Sequence, residues 1–164
     1  GLIYQMMGGQ DMKFDESHLL AGKKFANKLW NISRFVITQN VISNFQFPIS
    51  KQIQDSNLSK EDEEIIEKMD KIIVSVSDNI ENYNFGQALH TIYDFVWHEY
   101  ADKYIEYAKI KDSKETKEIL LSVLLNILKL LHPFMPFITE EIWSMISADL
   151  KTNKMLIIEE WPKT

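Results

Sequence analysis

Tyr93, Trp97, Tyr100, Tyr104 and Tyr107 follow one another at steps of four, three, four and three. That spacing keeps five large side chains on one face of an α-helix and scatters them over both faces of a strand. A helix is therefore expected from Phe85 to Lys111, with Asn84 placed to cap it. Five glycines and four prolines leave few sharp turns in 164 residues, so long helices are favoured over closely spaced hairpins. The expected fold is all-α, a bundle of about five helices.

The remaining helices follow from periodicity and caps. Phe25, Leu29, Ile32 and Val36 recur at helical spacing in a segment from about His18 to Asn44, reached from Gly8-Gly9 through a turn over "QDMKFDES". A polar connection holding Pro48 follows. Ser59 with Asp62 three positions on resembles a capping box with a shortened acid and predicts a helix from about Lys60 to Asn82. Ser113 can cap another from Lys114 to Leu131, dense enough in Leu and Ile to be buried on most of its circumference. In "LLHPFMPFITEEIW", Pro133 disfavours helix at His132 and ends the ladder near Leu131. Pro136 suits the first turn of a new helix, and Glu140 and Glu141 lie toward the positive end of its dipole. A last segment, "MLIIEEWP", either pairs as a short strand or covers the bundle.

Hydrophobic residues make up 45% of the chain, enough for a real core. No cysteine is present, which suits a reducing, cytoplasmic setting. The longest apolar run, "ILLSVLLNIL", is too short for a bilayer, so no membrane partner is expected. A formal charge of -6 argues against a generally basic nucleic-acid binder and confines any RNA site to a local patch. The apolar opening, "GLIYQMM", reads as the end of an interrupted helix and as a piece of something larger. An uncovered apolar end also fits a helical scaffold that binds a partner protein.

No H-x-G-H, K-M-S-K-S, G-x-G-x-x-G, P-loop, H-E-x-x-H or G-x-S-x-G motif occurs, so no catalytic residue is assigned. His18, His90, His98 and His132 fall in different segments; His90 and Asp94 have helical ligand spacing without further partners, and no metal site is expected. The more informative stretch is "GKKFANKLWNISRFV". At about 100° per residue, Asn27, Asn31 and Arg34 fall together opposite the apolar stripe, flanked by Trp30 and Phe35. Carboxamides donate and accept toward base edges, a guanidinium holds phosphate, and an aromatic takes an unstacked base. Such a face suits single-stranded RNA; the solvated side of any amphipathic helix, with Trp30 packed beneath a neighbour, has the same pattern.

Four stretches in order resemble a known family. "GGQDMKFD" (8–15) is similar to a G-x-D-[IM]-x-F junction, and "NKLWNISRFV" (27–36) to an N-K-L-[WY]-N-x-x-R-F-V helix. "FVWHEYADKYIEYAK" (95–109) and the Pro133–Pro136 corner follow. Together they resemble the anticodon-binding helical domain of class I aminoacyl-tRNA synthetases. The corner is common to valyl, isoleucyl and leucyl types, and the first two motifs select the valyl type. The resemblance implies that residues 1–10 end a junction helix to a catalytic core outside the chain and that 11–164 form the anticodon-binding bundle. It implies tRNA(Val) as partner, read through its anticodon loop, and ATP and magnesium as cofactors of the parent enzyme, none of them held here. Catalytic core and editing domain are missing, so no aminoacylation by the chain itself is expected. For RNA contact the expected residues are Asn27, Asn31 and Arg34 for polar contacts and Trp30 or Phe35 for stacking. Lys23, Lys24 and Lys28 are expected to supply charge to the backbone.

Overall fold

The computed structural model describes residues 16–39, 58–149 and 155–164. The Gly8-Gly9 turn, the junction segment 1–10 and the Pro48 connection lie outside them. Among the described residues the chain forms five helical rods and no strand: α1 (Glu16–Ile37), α2 (Lys60–Glu81), a long third rod, α5 (Lys114–Leu131) and α6 (Pro136–Asp149). The third rod is α3 (Phe85–Asp94), a π-helical stretch (Phe95–Tyr104) and α4 (Ile105–Lys111) in unbroken succession. No described helix is long and apolar enough to cross a membrane.

Helix α5 is the axis. It packs on every other rod, and ten of its apolar side chains, from Ile119 to Leu131, are buried. Its helix-like density of Leu and Ile therefore does what the sequence anticipates, filling contacts on all sides. Phe25, Leu29, Ile32 and Val36 bring the apolar stripe of α1 into the same core, as Ile65, Met69, Ile73 and Val76 do for α2. Helix α1 stops at Ile37, short of Asn44: Gln39 N–H donates to the Val36 carbonyl, and Thr38 Oγ1 and Gln39 Nε2 donate to that of Phe35. Side chains that compete for backbone carbonyls end a helix this way.

The capping box at α2 forms, and its acid does more than cap. Ser59 Oγ accepts from Asp62 N–H (3.2 Å) and donates to Asp62 Oδ2 (2.7 Å). Asp62, only 2% exposed, also accepts from Tyr104 Oη (2.7 Å) and from Thr116 Oγ1 (3.2 Å). Thr116 N–H is itself capped by Ser113 Oγ (3.2 Å), and Tyr107 Oη donates to Ser59 Oγ (2.6 Å). The first turns of α2 and α5 thus meet at one buried carboxylate, where both helix dipoles are positive. Burial and that carboxylate push the Tyr104 phenol well above its usual range, so it remains a donor.

The aromatic stripe divides. Ile105 N–H reaches back five residues to Tyr100, the π-helical pattern, and this wider winding turns the rod partway along. Tyr93 and Trp97 stack on each other at 5.5 Å, with Tyr93 against Phe25 of α1 at 4.9 Å. Tyr100, Tyr104 and Tyr107 instead face α2 and α5, where Tyr100 Oη donates to the Leu120 carbonyl (2.6 Å). Lys68 of α2 ties to Glu99, which Lys103 also binds. These lysines hold the Glu99 carboxyl below its usual range, so the clamp contributes above that range and fades as pH falls through it.

Other expectations shift in detail. Asn84 precedes α3 but makes no side-chain cap. His132 keeps helical dihedrals in front of Pro133 because its N–H donates to the Leu128 carbonyl at 3.0 Å. Pro136 does open α6, stitched to the corner by His132 Nδ1 at 2.9 Å from Thr139 Oγ1. Glu140 lies beyond the first turn and accepts the Leu156 N–H (3.0 Å) rather than serving the dipole. Residues 156–158 form a 3₁₀ turn, not a strand, and Trp161 Nε1 donates to Ser77 Oγ (2.9 Å), so the C-terminal segment covers the bundle.

Because three hydroxyls converge on Asp62, Asp62→Ala is expected to cost on the order of 3 kcal/mol, a lost cap plus unpaired buried donors. Tyr104→Phe, which removes one donor, should cost about 1 kcal/mol. Urea unfolding of both variants checks the ordering; equal small losses would mean that water replaces the network.

Candidate nucleic-acid interface

The side of α1 turned from the core carries Lys23, Lys24, Asn27, Asn31 and Arg34, all exposed. Lys28, Trp30 and Phe35 are half-buried at its margins. Among the described residues nothing pairs with the side chains of Lys23, Lys24, Asn27, Asn31 or Arg34, so their donors are open to solvent or a ligand. The helical wheel places Trp30 on one margin and Phe35 on the other.

The structure separates these residues into two ridges. Lys24, Asn27, Lys28, Asn31 and Phe35 line a groove of about 580 Å³ between α1 and the third rod. Lys23, Trp30 and Arg34 stand outside it; Trp30 packs against the hydrophobic core. The opposite wall is Trp97, Ala101, Asp102, Ile105, Glu106 and Lys109. None of these was named from sequence as a site residue: Trp97 reads as one of five aromatics on a single helix face, and the structure sets it in the groove while Tyr100, Tyr104 and Tyr107 face α2 and α5. Trp97, Ala101, Ile105 and Lys109 do recur every four residues, the one local sign that they form a single ridge.

Two lysines in the groove lie over aromatic rings. Lys28 Nζ is 4.1 Å from the Trp97 ring centre and 2.8 Å from Asp102 Oδ1. Lys109 Nζ is 5.5 Å from the Phe35 ring centre and 2.6 Å from Glu106 Oε1. Lys28, expected to be available for a phosphate, is thus engaged across the groove. The engagement is shallow: its partner side chain is 51% exposed, an ion pair of that kind contributes about 0.2–1 kcal/mol, and an exposed cation–π contact about 0.5–1 kcal/mol. Three lysines, Lys24, Lys28 and Lys109, face two carboxylates here, leaving a locally positive strip on an acidic chain.

Two histidines of the third rod lie one turn from carboxylates. His90 Nε2 lies 3.1 Å from Asp94 Oδ2 and His98 Nδ1 3.8 Å from Asp102 Oδ2. Among the described residues no three His, Asp or Glu side chains converge to hold a metal ion. The groove combines amide donors and acceptors, ammonium groups and aromatic faces, the set that takes unstacked bases with their phosphates.

A valine–tRNA ligase of Pseudothermotoga lettingae is 38% identical over 159 residues, covering 94% of this chain and 17% of that protein. One of Petrotoga mobilis is 37% identical over 161 residues, covering 94% and 18%. One of Dehalococcoides mccartyi is 41% identical over 143 residues, covering 84% and 16%. The chain spans about a sixth of the length of these relatives. The family model described as the anticodon-binding domain of tRNA ligase matches residues 62–164, which include the third rod's wall of the groove and leave α1 outside. With well over half of its residues in that match, the chain belongs to the anticodon-binding domain family of tRNA ligases.

Proposed function

We propose that this chain is the anticodon-reading module of a cytoplasmic valine–tRNA ligase and that the α1 groove receives the anticodon loop of tRNA(Val). The observation that carries the reading is the row of unpartnered donors, Asn27, Asn31 and Arg34, beside a groove holding Phe35 and Trp97. Valine anticodons share adenine and then cytosine at their second and third positions. Asn27 and Asn31 can each donate and accept toward such base edges, and Phe35 offers a stacking face. Arg34 and Lys23 on the outer ridge, with Lys24 in the groove, supply positive charge for a phosphate backbone. Trp30, which stands outside the groove, has the weaker claim to stacking.

The parent enzyme, on this reading, activates valine with ATP and magnesium and transfers it to the tRNA. The residues described here do not fit ATP or its metal, so that chemistry is assigned to the rest of the polypeptide, with residues 1–10 leading toward it. Likeness to valine ligases favours this over an isoleucyl or leucyl type, and the family match favours it over a protein-binding scaffold.

Binding of the chain to a valine anticodon stem-loop, at low and fixed salt, is expected to exceed binding to the same loop with its middle adenine changed. Equal affinity for the two loops would remove the support for Asn27 and Asn31 as readers. Phe35→Ala should weaken binding by about 1–3 kcal/mol if the ring stacks a base; an unaltered affinity with a lowered Tm would assign the ring to the core. In the full-length enzyme, Arg34→Ala should slow tRNA charging and leave ATP-dependent valine activation unchanged. Equal loss of both reactions would make Arg34 a folding residue.

A further inference from the structure

We infer that Trp97 is a second base-stacking platform in the groove, kept covered by a latch of Lys28 and Asp102 that a bound strand must open. The inference rests on the groove being an RNA site and adds to it which ring takes a base and what controls access. Trp97 is half-buried in the groove wall and backed by Tyr93, which is stacked on it at 5.5 Å and braced on Phe25 at 4.9 Å. Phe25 is 3% exposed, so the ring stands on the core rather than on a loose surface. Such a platform is preorganised for a flat ligand.

The groove side of that ring is occupied by Lys28 Nζ, 4.1 Å from its centre, and Asp102 holds the ammonium there at 2.8 Å. An ammonium cannot stay over the ring while a base stacks on it. If Lys28 turns to a phosphate, one movement uncovers the ring and adds a backbone contact, so stacking and charge pairing are coupled. Lys109 over Phe35, held by Glu106, repeats the arrangement along the same groove. The repetition assigns two lysine-covered rings to two successive unstacked bases, with Asn27 and Asn31 on the α1 wall beside them. Asp102 is then a specificity device: it lets Lys28 leave only for a ligand that supplies both a phosphate and a base, and discriminates against phosphate alone.

Fluorescence titration of a valine anticodon stem-loop carrying 2-aminopurine in the loop tests this, with affinity measured over a salt series. Asp102→Asn, at an exposed position, should tighten binding and steepen the slope of log affinity against log salt by up to roughly 0.7, because the carboxylate that takes up a cation when Lys28 leaves it for the strand is gone. Trp97→Leu should weaken binding on the order of 10- to 100-fold and reduce the quenching of one labelled position. Trp97→Phe, which keeps a ring, should retain most of the binding and guards against a fold defect in the leucine variant. Wild-type affinity in Trp97→Leu with an unchanged salt slope in Asp102→Asn would overturn the latch while leaving loop discrimination by the wild type, and the anticodon reading, intact. No binding of any stem-loop by the wild type would overturn both.

Discussion

A carboxylate with almost no access to water is the constraint on which the arrangement of the rods depends. Among the described residues no cation pairs with Asp62; what satisfies its oxygens in the core is a set of hydroxyl donors at the first turns of two helices and on the third rod. Those donors come from three different rods. Moving any of them away would strand either an ion or a hydroxyl, and burying either without a partner is costly. The network therefore fixes which ends of α2 and α5 lie together and how far along the third rod must pass, whereas the apolar contacts, which are non-directional, would tolerate sliding. Position of the groove follows from this, because its far wall belongs to the same third rod.

On the proposed reading, the groove lets an acidic chain serve a nucleic-acid ligand. Net charge governs long-range attraction, but local order of charge governs what is held. Here each carboxylate in the groove sits against a lysine and each of those lysines sits on a ring. The neutral carboxamides between them remain unengaged. A surface built this way offers little to a bare polyanion and more to a strand whose bases are splayed.

What was legible in the sequence was local. Ser59 with Asp62 acts across three residues, Ser113 stands as a cap, and the starts of α2 and α5 fall where they indicate. The exposed face of α1 was equally readable, because one helix's periodicity defines it. What was not legible depends on partners far apart in the chain. Lys28 meets Asp102 across 74 residues, so its engagement cannot be read from "NKLWN". Asp62 looks like an ordinary cap until Tyr104 and Thr116 are brought to it. Trp97 was legible only as one of five aromatics on a single helix face, because steps of four and three assume α-helical winding throughout, and nothing nearby announces the π-helical stretch. Asn84 has the right identity for a cap, yet its side chain makes no such bond, a reminder that cap residues state a preference and geometry decides.

The π-helical stretch also links the two ends of the third rod in a way that limits how the chain can vary. Its ten residues, Phe95–Tyr104, hold Trp97 and Asp102 toward α1 and Tyr100 and Tyr104 toward the buried carboxylate. Deleting one residue there would change the winding, and everything downstream would shift along and about the rod. Tyr104 and Tyr107 would leave Asp62 and Ser59, while Trp97 stayed in place. Side chains along the groove can therefore change one at a time, whereas a change in the length of this segment would move the groove wall and the core contacts together, because the two share one register.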